Sequence, residues 1–534
     1  MSTPPFRYAK WLQTGPDNTD YEKITADHVS VEEAFGKRYL FVEPEGLRLL
    51  AERAFKDISY YYRPAHLKLL SSALNDPSSS DNDRFVAHTL LENAVIAAEG
   101  LLPMCQDTGT ATIMGWKGER VQTGTDDAER LSAGVYDAYG NNPLRYSQQV
   151  SLSMFEESNS STNLPAQIDI SATEGEAYRF LFVAKGGGSA NKTSFYAETP
   201  VMLNADRLYR FLAEKIPAIG VAACPPYYVS VVIGGTSPEQ NLKVNKLASA
   251  GYLDGLPVGG RIEGVAYRDL AWEAKVMEIA ANSGLGAQFL GRRFALDARV
   301  IRLTRHAASV PISIAVSCSA HRNALAKITA DGIFMEALEK NPKQYYSAED
   351  AGSGETGVPI DLNRPLSENL ESLSKLKVGT LLSLTGPMLV ARDLAHARLM
   401  ERFEATQTIP DYFKDYFIYY AGPAKTPQGM ASGSFGPTTA QRMDTYIETF
   451  MENGASLVTL AKGNRSSVVA DACKKYGGFY LGTIGGAAAL VAKRNIINNE
   501  ILDYPELGME AVRKIEVKDM PAVIICDNQG NRLY

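Results

Sequence analysis

Tyr178-Arg179-Phe180-Leu181-Phe182-Val183-Ala184 runs directly into Lys185-Gly186-Gly187-Gly188-Ser189-Ala190-Asn191-Lys192-Thr193. Aromatic and branched side chains without glycine or proline predict a buried strand, and the glycines predict a turn from strand to helix. Outward from it, Tyr227 to Ile233 and Val310 to Val316 read as further strands, separated by helical patterns such as Asp269 to Ala281. The first ~100 residues read as helical, because Leu47, Leu50, Ala51, Ala54, Phe55 and Ile58 recur at the 3 to 4 residue interval of one helix face. Pro64 and the run Asp76-Pro77-Ser78-Ser79-Ser80-Asp81 punctuate these helices. The fold expected is α/β in two domains.

Residues 1–340 form the larger, mixed α/β N-terminal domain in this reading, and the polar, Gly-rich residues 341–357 a linker. Residues 358–534 form a smaller β/α domain. There Thr439 to Glu452 predicts a helix with Met443, Tyr446, Ile447, Phe450 and Met451 on one face and Gly454 as its stop. A strand at Ser456 to Ala461, a helix through Val468, Val469 and Cys473 ending at Gly477, another strand and an Ala-rich helix complete a βαβ-type unit.

With 534 residues, 45% apolar and 22% charged, the chain reads as ordinary globular protein. A net charge of −7, from 54 Lys and Arg against 61 Asp and Glu, argues against nucleic acid or an anionic membrane as the main partner. The N-terminus lacks a signal-peptide or transit pattern, and the longest uncharged stretch, Tyr476 to Ala492, is too short to span a bilayer. A soluble, cytoplasmic protein is expected.

Five cysteines, Cys105, Cys224, Cys318, Cys473 and Cys526, are too sparse for a disulfide framework, and no pair has zinc-knuckle or ferredoxin spacing. Three sit among turn formers and polar groups: Cys105-Gln106-Asp107-Thr108-Gly109-Thr110, Cys224-Pro225-Pro226 and Ser317-Cys318-Ser319-Ala320-His321. Such settings suit thiolates exposed in loops, although a lone cysteine is more often a small buried hydrophobe. Cys473 and Cys526 lie in apolar patterns and read as core.

The loop Lys185 to Thr193 has Asn191 where a Walker loop needs Gly, so a nucleotide-binding protein is only an alternative. Its glycines and Lys192 still suit an anion, with a plain turn as the competing explanation. Gly433-Ser434-Phe435-Gly436-Pro437-Thr438-Thr439-Ala440-Gln441-Arg442 leads into a helix and predicts either an anion site at its N-terminus or ordinary capping. Lys462 follows a strand and either points into the same crevice or lies on the surface.

Together with Tyr419-Tyr420-Ala421-Gly422-Pro423-Ala424-Lys425-Thr426-Pro427, these segments resemble the class I fumarate hydratases, the oxygen-sensitive iron–sulfur fumarases, over essentially the whole chain. The resemblance implies reversible, stereospecific hydration of fumarate to (S)-malate, a reaction of the tricarboxylic acid cycle. It also implies a [4Fe–4S] cluster on three protein ligands, Cys105, Cys224 and Cys318, with one iron left open for substrate. The N-terminal domain would bind the cluster, and the C-terminal domain would be of swivelling type.

Substrate contacts implied by the resemblance fall on Gln106, Asp107, Arg145, Gly188, Asn191, Lys192, Thr193, Ser194, Phe195, Tyr196, Ala197, Arg392, Thr438, Thr439, Ala440, Gln441, Arg442 and Lys462. Thr438 is the implied base, with Asp107 and His306 handling the proton at the departing oxygen. His28, His66, His88, His321 and His396 read as core. A homodimer is implied, and the partner is a small dicarboxylate. Tartrate dehydratase of the same family is the nearest alternative, although its chains are commonly divided into two subunits.

Overall fold

Strand Tyr178–Lys185 lies inside a six-stranded sheet, paired antiparallel with Thr110–Gly118 on one side and Arg322–Thr329 on the other. The computed structural model describes residue 6 and residues 8–346 and 357–534. Both faces of this strand are covered, which is why it carries an almost unbroken apolar run. Tyr178, Phe180 and Phe182 pack against Leu47, Leu50, Ala54, Phe55 and Ile58 of helix Pro44–Tyr60. Leu181 and Val183 face the opposite way, onto Val244 and Leu247 of helix Pro238–Ser249 and onto Val232 and Ile301 of a second, five-stranded sheet. Helices Ala205–Lys215 and Leu270–Asn282 cover that sheet's outer face.

The expectation of helices throughout the first ~100 residues holds only from Pro44 onward. Before it the chain forms strands Tyr21–Thr25, Val29–Ala34 and Lys37–Val42, the first paired with Gly332–Glu336. These strands are mostly exposed and charged, so they carry little apolar periodicity to read. Helix Asp81–Ala97 begins at the predicted break. Ser80 accepts from the Asp83 N–H, and the Asp83 carboxylate accepts from the Ser80 N–H in return.

Strand Val358–Asp361 opens a seven-stranded sheet. Parallel strands Ile418–Tyr419, Val458–Ala461 and Phe479–Gly482 are joined by helices Asp444–Glu452 and Ser467–Tyr476, as the βαβ reading implies. The run Ala522-Val523-Ile524-Ile525, which reads as a strand ending at Cys526, is the end of a 15-residue strand, Val512–Cys526. This strand pairs with both Phe479–Gly482 and Leu381–Val390 and closes the sheet on itself. Residues 347–356 of the expected linker lie outside the described residues, and Pro342–Tyr345 forms a short 3-10 turn.

Buried neutral hydrogen bonds join the two units. The Asn93 side-chain amide donates to the carbonyls of Met104 (2.9 Å) and Gly486 (3.2 Å), while its oxygen accepts from the Leu490 N–H at 3.0 Å. Gln288 does the same between Pro225 (2.9 Å) and Gly485 (3.0 and 2.8 Å). Asn93→Leu strands three polar groups and is expected to cost about 3 kcal/mol, read from denaturant midpoints. Lys493→Ala, which breaks only an exposed ion pair to Glu99, is expected to cost under about 1 kcal/mol.

Candidate active site

Three loops of the first unit bring Cys105, Cys224 and Cys318 together. Cys105 precedes strand Thr110–Gly118, Cys224 precedes strand Tyr227–Gly235, and Cys318 follows strand Val310–Ser317. Cys224 holds a positive φ of 63°, and its carbonyl accepts from the Ser319 N–H at 3.0 Å, tying two of the loops directly. The three thiols feel one another's charge. Burial pushes the Cys105 thiol up, against the pull of Arg322. Burial also raises Cys224 to about 11 despite Lys462, because a dry site penalises the thiolate. Cys473 and Cys526 sit beside each other in the core of the second unit, as expected.

The second unit closes over these loops. Lys462 Nζ donates to Cys224 Sγ at 2.9 Å, and Gly485 backs onto the same sulfur with no room for a β-carbon. Gln106 Nε2 donates to the Pro437 carbonyl at 3.1 Å, and Gly436 lies so close that a side chain would strike the Gln106 amide. Asp107 sits 3.0 Å from Arg145 and accepts from the N–H groups of Gly187 (2.9 Å) and Gly109 (3.2 Å). Burial alone would raise this carboxyl. Arg145, Arg322, the Gly187 N–H and Lys462 instead hold it at about 2, so it stays ionised.

Arg392 pairs with Glu510, and Arg442 pairs with Asp393 at 3.0 Å while donating to the Thr438 hydroxyl. Burial, and next in line the charge of Arg392 from the second unit, oppose the charge of Arg145, which Asp107 supports. Gly188 faces the same space, since a β-carbon there would stand 4.0 Å from Lys462 Nζ.

Residues 49–327 match the family model for fumarate hydratase (fumerase), and residues 332–534 match that for the fumarase C-terminus. The anaerobic class I fumarate hydratase of Escherichia coli (strain K12) is 55% identical over 536 residues, covering 100% of this chain and 98% of that protein. The chain belongs to the class I fumarate hydratase family. The aerobic class I fumarate hydratase of the same strain is 53% identical over 536 residues, with 100% and 98% covered. Fumarate hydratase 2 of Leishmania major is 53% identical over 519 residues, with 97% and 91% covered.

His306, which the family resemblance implied, is not brought to the thiols of its own chain. His306 lies exposed in the turn at the far end of strand Val310–Ser317, its Nδ1 accepting from the Ala308 N–H. Eight strand residues separate that turn from Cys318, a span of about 25 Å at the usual strand rise. Asn191 ends the short turn Gly187–Ala190, Lys192 is half-buried, and Thr193 is exposed. Ser194, Phe195, Tyr196 and Ala197 form an edge strand that runs away from Cys318, with Ala197 opposite Pro311.

The predicted anion site at a helix N-terminus is also corrected. A 3-10 turn, Ala440–Met443, stands where the helix was expected to begin, and the helix starts at Asp444. The N–H groups of Thr438 and Ala440 are spent on the carbonyls of Tyr420 and Lys462. Gln441 and Arg442 are both exposed, and Arg442 is turned toward Thr438 and Asp393. Of the histidines read as core, His66, His321 and His396 are buried. His28 and His88 instead lie partly exposed, with Nδ1 2.8 Å from Glu43 and 3.7 Å from Glu92 respectively.

His396 fixes the start of the Arg392 helix. Its Nδ1 lies 3.2 Å from the Arg392 carbonyl, and its Nε2 is buried among aromatic rings with no hydrogen-bond partner among the described residues. Burial lowers its pKa from 6.5 to about 4. The unfolded chain therefore binds a proton that the folded one refuses, and stability falls as pH drops from 6.5 toward 4. The shift is worth up to about 3 kcal/mol. Unfolding measured from pH 7 to 4 for the protein and for His396→Phe should show the variant losing that much less.

Proposed function

We propose that the chain reversibly hydrates fumarate to (S)-malate, with Cys105, Cys224 and Cys318 holding a [4Fe–4S] cluster. The observation that carries this is Lys462 of the second unit bonded to Cys224 Sγ (2.9 Å), with Arg145 paired at 3.0 Å to Asp107 on the loop that carries Cys105. The donor set fits a cluster. All three cysteines are free thiols in loops of the first unit. Buried cations, Lys462 and Arg322, compensate anionic sulfur. When bound, the cluster supplies Lewis acidity at an iron without a protein ligand, lowering the cost of losing hydroxide.

Arg145, Arg392 and Arg442 hold the two carboxylates of the substrate, with guanidinium forks suited to bidentate pairing. Their acidic partners Asp107, Glu510 and Asp393 orient them before substrate arrives. Negative charge grows on the carboxylate beside the carbon that loses its proton, and fixed cations there favour the transition state over the ground state. Thr438 takes that proton as its alkoxide, a form that the Arg442 N–H directed at Oγ1 stabilises. Asp107, held near 2, serves as an acceptor that orients Arg145 and does not arrive as an acid.

His306 cannot reach its own chain's site, so the proton role implied for it requires a second copy to present its turn. That need supports a homodimer, for which a cytoplasmic setting is proposed; no helix among the described residues is long and apolar enough to cross a membrane. The closed sheet of the second unit is read as a swivelling-type domain whose small rotation admits substrate.

Turnover of malate and of both tartrate enantiomers on anaerobically purified protein tests the reading. Malate is expected to be the preferred substrate, and Thr438→Val is expected to lower kcat on the order of 10²-fold. Preference for a tartrate, or unchanged kcat in that variant, would contradict it.

A further inference from the structure

Arg322 is a buried cation near the thiols that the sequence did not mark. It opens strand Arg322–Thr329, opposite Ala184 and in the same row as Ala111, four positions after Cys318 and just beside the turn that holds Asp107. The residue is 2% exposed, and its Nε and Nη1 have no hydrogen-bond partner among the described residues. A guanidinium in that state is costly unless an anion completes it.

The other charges nearby are already served. Asp107 has Arg145 and two N–H groups, and Cys224 has Lys462. Among the described residues the hydrogen bonds of Cys105 and Cys318 go to acceptors, the Gln106 side-chain oxygen at 3.5 Å and the Ala320 carbonyl at 3.7 Å. As thiolates these two sulfurs would have no donor. They are also the charges that Arg322 feels most, ahead of Asp107.

We propose that Arg322 is a sulfur-facing positioning residue, donating N–H···S hydrogen bonds to the anionic sulfur held by Cys105 and Cys318. This rests on the cluster reading above. Donors to cluster sulfur and nearby positive charge raise a reduction potential, so Arg322 makes the cluster harder to oxidise and slows its loss in air. Lys462 does the corresponding work at Cys224 from the other unit.

The test compares the anaerobically purified protein with Arg322→Met and Arg322→Lys by iron and labile-sulfide content, midpoint potential and the rate of bleaching in air. Arg322→Met is expected to bleach about tenfold faster with a lower potential. Arg322→Lys, which keeps the charge but loses the fork, should fall between, and it decides the matter if Arg322→Met does not fold. An unaltered protein without iron or sulfide defeats the cluster reading itself. A normal cluster in that protein, with potentials and bleaching unchanged in both variants, overturns the role of Arg322 alone. So does a raised KM for malate with unchanged bleaching, which would make Arg322 a substrate clamp.

Discussion

A buried ammonium 2.9 Å from a buried sulfur depends on that sulfur, because removing the acceptor leaves the Lys462 charge buried with one partner fewer. Lys462 belongs to the second unit and Cys224 to the first, so this contact makes the two units interdependent. Asn93 and Gln288 flank it with neutral hydrogen bonds that fix the approach of the Gly485-Gly486 turn. Gly486 has a φ of +91° and presses on Ser319, next to Cys318. The interface between units thus shapes the loops that carry two of the three thiols.

The same logic of paired charge extends across the substrate side. Arg145, Arg392 and Arg442 are each held by a carboxylate, so they are oriented cations and not loose ones. Held in place, they need little rearrangement when charge develops on a substrate carboxylate. His396, neutral and wedged among Tyr420, Tyr446 and Phe450, carries that order one step further by supporting the Arg392 backbone.

Much of the scaffold is legible in the chain because burial leaves a period. Tyr178 to Ala184 has two covered faces and reads as a strand, and Leu47 to Ile58 has one and reads as a helix. The exposed strands before Pro44 leave no such trace. The Thr439 to Glu452 pattern overran its helix because Thr438 and Ala440 bond the strand carrying Lys462, a long-range pairing with no local signal. The convergence of Cys105, Cys224 and Cys318 depends on three distant loops, so resemblance pointed to it where spacing did not. Arg322 went unread beside His321 because nothing local marks a buried arginine as unpaired, and His306 was placed in a site that its own chain cannot bring it to.

The central claim is that the three thiols hold a cluster whose remaining iron is free to meet substrate. Mössbauer spectroscopy of the anaerobically purified protein, recorded before and after adding malate, tests this most directly. The account predicts cluster iron of which a single site changes when malate binds. Absence of cluster iron, or a cluster whose irons are all indifferent to malate, would contradict it.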